Sequence, residues 1–268
     1  MSFIADFIKE SNRLRNKGRC LHFADGNRCD QIIAAHSIQK LGQLRMIAED
    51  GHVFRFSTEF STLRKSSGLP FPKRIGVNKV STFLGFCETH DSQRFEKIDR
   101  SPLTPNHEEV ALYAYRSLCR EFFVKENAVD LMDSMSQNQK LTSEKRDLLK
   151  IMKSGHKLGF DRLKEHKGQY EKSLGNKNFS DFLYVAFESP SPMQLQLSGL
   201  HYPDFDFLAE RLQDLSNPEE HRSLISFFTA PTNNGWTFCF AWHRSSSGIC
   251  IPFIRSPRNY YSREVRVG

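Results

Sequence analysis

Three cysteines and a histidine carry the clearest chemistry in this 268-residue sequence. Cys20 and Cys29 flank the polar stretch LHFADGNR, in which Asp25-Gly26 suits a tight turn. Cys87-Glu-Thr-His90 then forms a C-x-x-H directly before DSQRFEKID, a run of helical character. Ligands three apart at a helix start can both face one tetrahedral metal, and thiolates with an imidazole suit zinc better than magnesium or calcium. The gap between Cys20 and Cys29 is longer than the usual spacing of a zinc-ligand pair, and His22 competes for the place of either cysteine. The expected centre is a structural Zn²⁺ held by Cys20, Cys29, Cys87 and His90, with His22 as the alternative ligand.

The order of these ligands is that of a treble-clef zinc finger: a knuckle supplies two, a β-hairpin follows, and the first turn of a helix supplies two more. Between the pairs lie CDQIIAAHSIQKLGQLRMIAEDGHV and GVNKVSTFLGFCETHDSQRFEKID. This text resembles HNH endonuclease-like proteins, in particular a bacterial group with the pattern AHSIQ…STFLGFCETHD. The resemblance covers about residues 18–100, with a weaker echo in YAYRSLCREFFVKE. It implies His36, in Ala35-His36-Ser37-Ile38, as a general base, a task suited to an imidazole titrating near neutral pH. It implies Asp91 as a ligand of a catalytic Mg²⁺ or Mn²⁺, and Asn78 as the family's central Asn by position alone.

One departure stands out. Ala35 occupies the place where the family has an Asp or His that binds the catalytic metal, so Asp91 would need help from Glu88, Asp30 or substrate phosphates. Two outcomes are therefore open. One is an active nuclease on DNA or RNA, for which the resemblance suggests a setting in bacterial defence. The other is a non-catalytic descendant that binds nucleic acid or a protein partner. A solvent-facing His36 beside Asp91 favours the first; a buried His36 bonded to backbone favours the second.

The elements that must position these residues follow from periodicity. The sequence predicts an α+β chain with an N-terminal ββα zinc module over 1–101, a helical hairpin over 107–175 and a small α+β domain over 178–268. Phe3, Ile4, Phe7 and Ile8 predict a short amphipathic helix docked on the body. SPLTPN at 101–106 breaks the chain, and Asn106 with Glu109 reads as a capping box. Ala111, Tyr115, Leu118, Cys119 and Phe122 mark one buried helix face. A second helix is expected to anchor through Leu148, Met152 and Leu163, with Gly155 and Gly159 weakening it. Beyond it, SDFLYVAFES and MQLQLSGL have strand composition, and YPDFDFLAERLQDL reads as a helix. SLISFFTAPTNNGWTFCFAWH reads as a hairpin around Asn234-Gly235. Trp236 and Trp242 then share a strand face as core anchors. Cys119 in a helix, and Cys239 and Cys250 in strand-like runs, are expected to be buried small hydrophobes.

Composition narrows the function classes. No apolar run approaches the ~20 residues that cross a bilayer, and the start lacks a secretory pattern, so a cytoplasmic chain without a membrane partner is expected. There is no G-x-S-x-G elbow, Walker-type loop or G-x-G-x-x-G. The formal charge of +7 is clustered. Between Lys145 and Lys177 ten Lys or Arg face four Asp or Glu, an excess of +6. Lys150, Lys153 and Lys157 are the candidate nucleic-acid contacts there, against the plainer reading of a solvated helix face.

Overall fold

The computed structural model describes residues 3–22, 29–57, 66–191 and 193–264. Helix α1 (Phe3–Asn16) opens the chain and packs Phe3, Phe7 and Leu14 against Leu131, Met132 and Met135. Strand β1 (Ile32–His36) pairs antiparallel with β4 (Thr82–Cys87), placing His36 opposite Thr82 and Ile32 opposite Cys87. Short helical turns over Lys40–Ile47 lead out of β1. Between the paired strands the chain extends a second antiparallel pair, β2 (His52–Ser57) with β3 (Phe71–Gly76). Strand β4 runs directly into helix α2 (Glu88–Arg100).

Helix α3 (His107–Ser136) lies at the centre of the molecule. Asn106 caps its start as the sequence predicts, with Oδ1 accepting from the Glu109 amide at 3.0 Å, but the Glu109 carboxylate accepts from the Thr104 amide at 2.9 Å and not from that of Asn106, so the box closes two residues upstream. Helix α4 (Ser143–Gly175) returns antiparallel and runs unbroken through Gly155 and Gly159. Its buried face carries Leu149, Leu163, His166, Tyr170 and Leu174. Leu148 and Met152 are exposed instead of acting as anchors, because no residue of α4 between Leu149 and Leu163 is buried and nothing covers that stretch of its face.

The rest of the chain forms β5 (Phe182–Ser189), β6 (Ser198–His201), β7 (Ile225–Thr232) and β8 (Gly235–His243), in the sheet order β5-β8-β7-β6, followed by α5 (Ser247–Glu264). The β7–β8 hairpin turns where the sequence places it. Gly235 sits at φ 141° with Ser189 O so close that a Cβ would lie 2.1 Å from it, so only glycine fits. Trp236, Trp242 and Cys239 are buried. Two expectations fail. YPDFDFLAERLQDL is not helical, because Asp206 Oδ1 accepts from the Leu208 and Glu210 amides and Ala209 adopts φ 62°. Cys250 lies in α5, where it packs with Phe253 three residues on; an apolar run as short as ICIPFI fits either period. One core cluster draws on all three sequence segments, from Cys20 and Phe86 through Tyr115 to Phe228 and Ala241.

Candidate metal centre and its surroundings

The chain before β1 is guided to the centre by two backbone bonds to β4, from the Arg19 amide to Leu84 O (3.0 Å) and from the Leu21 amide to Gly85 O (2.8 Å). Gly18 permits this approach, since a Cβ there would meet Ile32 Cγ2 at 2.6 Å. The Arg19 side chain pins the segment to α3: it pairs with Glu126, donates to Asn127 and to Phe123 O, and lies over the Phe123 ring at 4.1 Å. From the other side, Cys87 ends β4 and caps α2, its Sγ accepting from the His90 amide at 3.4 Å.

These elements bring Cys20, Cys29, Cys87 and His90 together, with one ligand atom from each lying within 4.8 Å of all the others. The three Sγ atoms stand 3.4, 3.3 and 3.3 Å from His90 Nδ1. Tetrahedral zinc with its usual Zn–S and Zn–N lengths places sulfur and nitrogen about 3.6 Å apart, so the donor set fits such an ion and could hold it. His22 is not one of the four; its ring lies 4.4 Å from the His90 ring, and burial, with Arg94 nearby, pushes its pKa down to about 4. Burial and a hydrogen bond with the Cys87 sulfur push the Cys29 thiol up to about 11, so a metal must displace protons to bind.

Beneath the centre lies a polar cluster that the sequence did not announce. Arg116, on the apolar face of α3, is 2 % exposed and donates twice to the Asp99 carboxylate, at 2.7 and 2.6 Å. Its guanidinium lies over the Phe95 ring at 4.2 Å. Gln39 donates to Asp99 O at 2.6 Å, and Gln43 both caps the Gln39 amide and donates to Thr229 O. A lone charge inside the apolar run LYAYRSLC was the available signal, because a buried guanidinium needs an acidic partner.

His36 and Asp91 both feel this pair electrostatically. His36 is half-buried, with Nε2 bonded to Val77 O at 3.0 Å. Burial lowers its pKa, and the bond to Val77 opposes the shift in part. Burial raises the pKa of Asp91, opposed by Arg116, and Asp91 Oδ1 is buried with no hydrogen-bond partner among the described residues. No hydrogen bond joins His36 to Asp91 among the described residues, and no second cluster of three or more metal-ligating side chains converges there. Asn78 is exposed on the turn between β3 and β4, while its neighbour Val77 makes the contact to His36.

The candidate basic residues on α4 are each matched by an acid. Lys150 pairs with Asp147 at 2.8 Å, Lys153 with Asp133, and Lys157 with Asp161 at 2.6 Å. Among the described residues no helix is long and apolar enough to cross a membrane. Comparison of the chain with protein-family models, with curated proteins and with solved structures finds no match.

Proposed function

We propose that the chain is a zinc-stabilised, HNH-like treble-clef protein that binds nucleic acid, and that its metal serves structure rather than chemistry. The observation that carries this reading is the closed donor set: four protein ligands leave no position for water or substrate on a tetrahedral ion. The strand pair β1–β4 running into α2, with ligands before β1 and at the start of α2, supports the treble-clef assignment. His36, half-buried and bonded to backbone, fits a module that has kept the fold without the reaction. The test is direct. The purified chain should bind oligonucleotides with an affinity that falls steeply with salt, and should lose that binding together with its zinc on chelation. Salt-independent or undetectable binding by the zinc-loaded chain would refute the nucleic-acid assignment.

One observation favours a second reading, a metal-dependent nuclease. The Val77 carbonyl requires His36 Nε2 to carry the proton, which leaves Nδ1 as the basic nitrogen. Under this reading the protein nicks DNA or RNA with Mg²⁺ or Mn²⁺, and His36→Ala slows cleavage by roughly 10²–10⁴-fold while zinc content stays unchanged. Under the structural reading, His36→Ala orphans Val77 O, costs about 1–3 kcal/mol of stability, and removes no activity.

A further inference from the structure

Away from the metal centre, α1 and α3 form the walls of an open groove of about 660 Å³ that runs to Arg55 and Phe56 of β2. Helix α1 contributes Phe7, Ile8, Ser11, Asn12 and Arg15, and α3 contributes Arg120, Phe123, Val124, Asn127, Ala128 and Leu131, each set at helical spacing. A smaller hollow of about 230 Å³ adjoins it and shares Arg55 and Arg120. Neither concavity has an Asp or Glu in its lining, which includes Arg15, Arg55 and Arg120. Arg120 pairs with Glu121, but among the described residues the side chain of Arg15 bonds only to the neutral Asn12 and Arg55 pairs with no acid.

The ribbon adds aromatic faces to this charge. Phe54 and Phe56 fall on one face of β2, two residues apart, and are 68 % and 67 % exposed. Phe54 stands opposite Arg74 across the strand pair. Phe56 lines the larger groove and Phe54 the smaller. Exposed rings of this size beside arginines, two of which have no acidic partner among the described residues, are costly to leave in water and have few partners that use both. A single-stranded nucleic acid uses both: phosphates meet the guanidiniums, and unstacked bases lie on the rings. A duplex keeps its base faces stacked and offers nothing to Phe54 and Phe56.

We infer that this groove and the β2–β3 ribbon bind single-stranded nucleic acid, with Arg15, Arg55 and Arg120 on the phosphates and Phe54 and Phe56 as stacking faces. The inference rests on the nucleic-acid reading above and gives it a place on the surface distinct from both the metal centre and α4. The strand would pass β4 at Thr82, the register partner of His36.

The test uses the zinc-loaded full chain and fluorescent oligothymidylate of about 16 nucleotides, with a duplex as comparison. The single strand should bind more tightly than the duplex. Arg15→Gln with Arg55→Gln should reduce the slope of log K against log salt by about 0.7 per lost phosphate contact, and Arg55→Lys should restore its share. Phe54→Ala with Phe56→Ala should weaken binding by roughly five- to a hundredfold per base that no longer stacks. All four side chains reach solvent, so zinc content and melting temperature should be unchanged in these variants. If the parent binds the single strand and the variants match it, the groove assignment falls while the nucleic-acid reading stands. If the parent binds neither nucleic acid, both fall. Equal binding of the duplex, or competition by polyglutamate as effective as by oligothymidylate, would overturn the single-strand assignment.

Discussion

Arg116 and Asp99 are unequal partners, and that inequality is measurable. The Asp99 side chain keeps 37 % of its exposure, so water can solvate it when the guanidinium is gone; Arg116 keeps 2 % and has no such recourse. Asp99→Ala should therefore cost about 3–5 kcal/mol in urea unfolding, against about 1–2 kcal/mol for Arg116→Met, which fills the same space without a charge. The reverse order would show that the pair is not buried as described. His166 offers a second test at this scale. Burial first, and His221 next, push its pKa down to about 4. The unfolded chain therefore binds a proton near pH 6.5 that the folded chain refuses until about 4. Its contribution is full above pH 6.5 and is lost as pH falls toward 4, up to about 3 kcal/mol. In His166→Gln the stability of the protein should depend less steeply on pH across that window; an unchanged slope would place the acid sensitivity elsewhere.

At the scale of elements, the legible features are those with a strong local signal. The Asn106–Glu109 cap is one, and Asn106→Ala should lower stability by about 0.5–2 kcal/mol, while Asn106→Asp, which keeps the acceptor, should stay close to the parent. Calorimetric melting of the two variants checks it. The Asn-Asn-Gly turn of β7–β8 was legible for the same reason, since glycine at a positive φ leaves a mark in the sequence. What could not be read is equally physical. The β2–β3 ribbon pairs HVFRFS with FPKRIG, which do not alternate cleanly, and much of it is exposed on both sides, so no buried face marks its period. In YPDFDFLAERLQDL the apolar spacing suits a helix, but two aspartates satisfy the backbone first. The gathering of Cys20, Cys29, Cys87 and His90 was legible because C-x-x-H at a helix start is a geometric statement. Arg116, Gln39 and Gln43 were not, because their partners lie 17, 60 and 186 residues away.

Across the whole molecule, the candidate metal centre lies where the N-terminal segment joins the core. Cys20, Leu21, Phe86 and Cys87 belong to the same buried cluster as Tyr115 of α3 and Phe228 of β7. Tyr115 OH also reaches Leu21 O at 3.5 Å, and Glu171 of α4 at 2.8 Å. An ion held there would therefore fasten the Cys20–Leu21 segment, β1 and α2 to α3, not merely a surface loop. A structural zinc contributes ~10–16 kcal/mol of apparent binding free energy, comparable to the stability of a domain. Cys29→Ser and Cys87→Ser should accordingly cost most of the soluble yield. The measurement that tests the central claim most directly is metal analysis of the purified chain, made without added metal and paired with melting before and after chelation. The account predicts about one zinc per chain and a large fall in melting temperature once it is removed. A well-folded chain without zinc, melting at the same temperature with chelator as without, would contradict it.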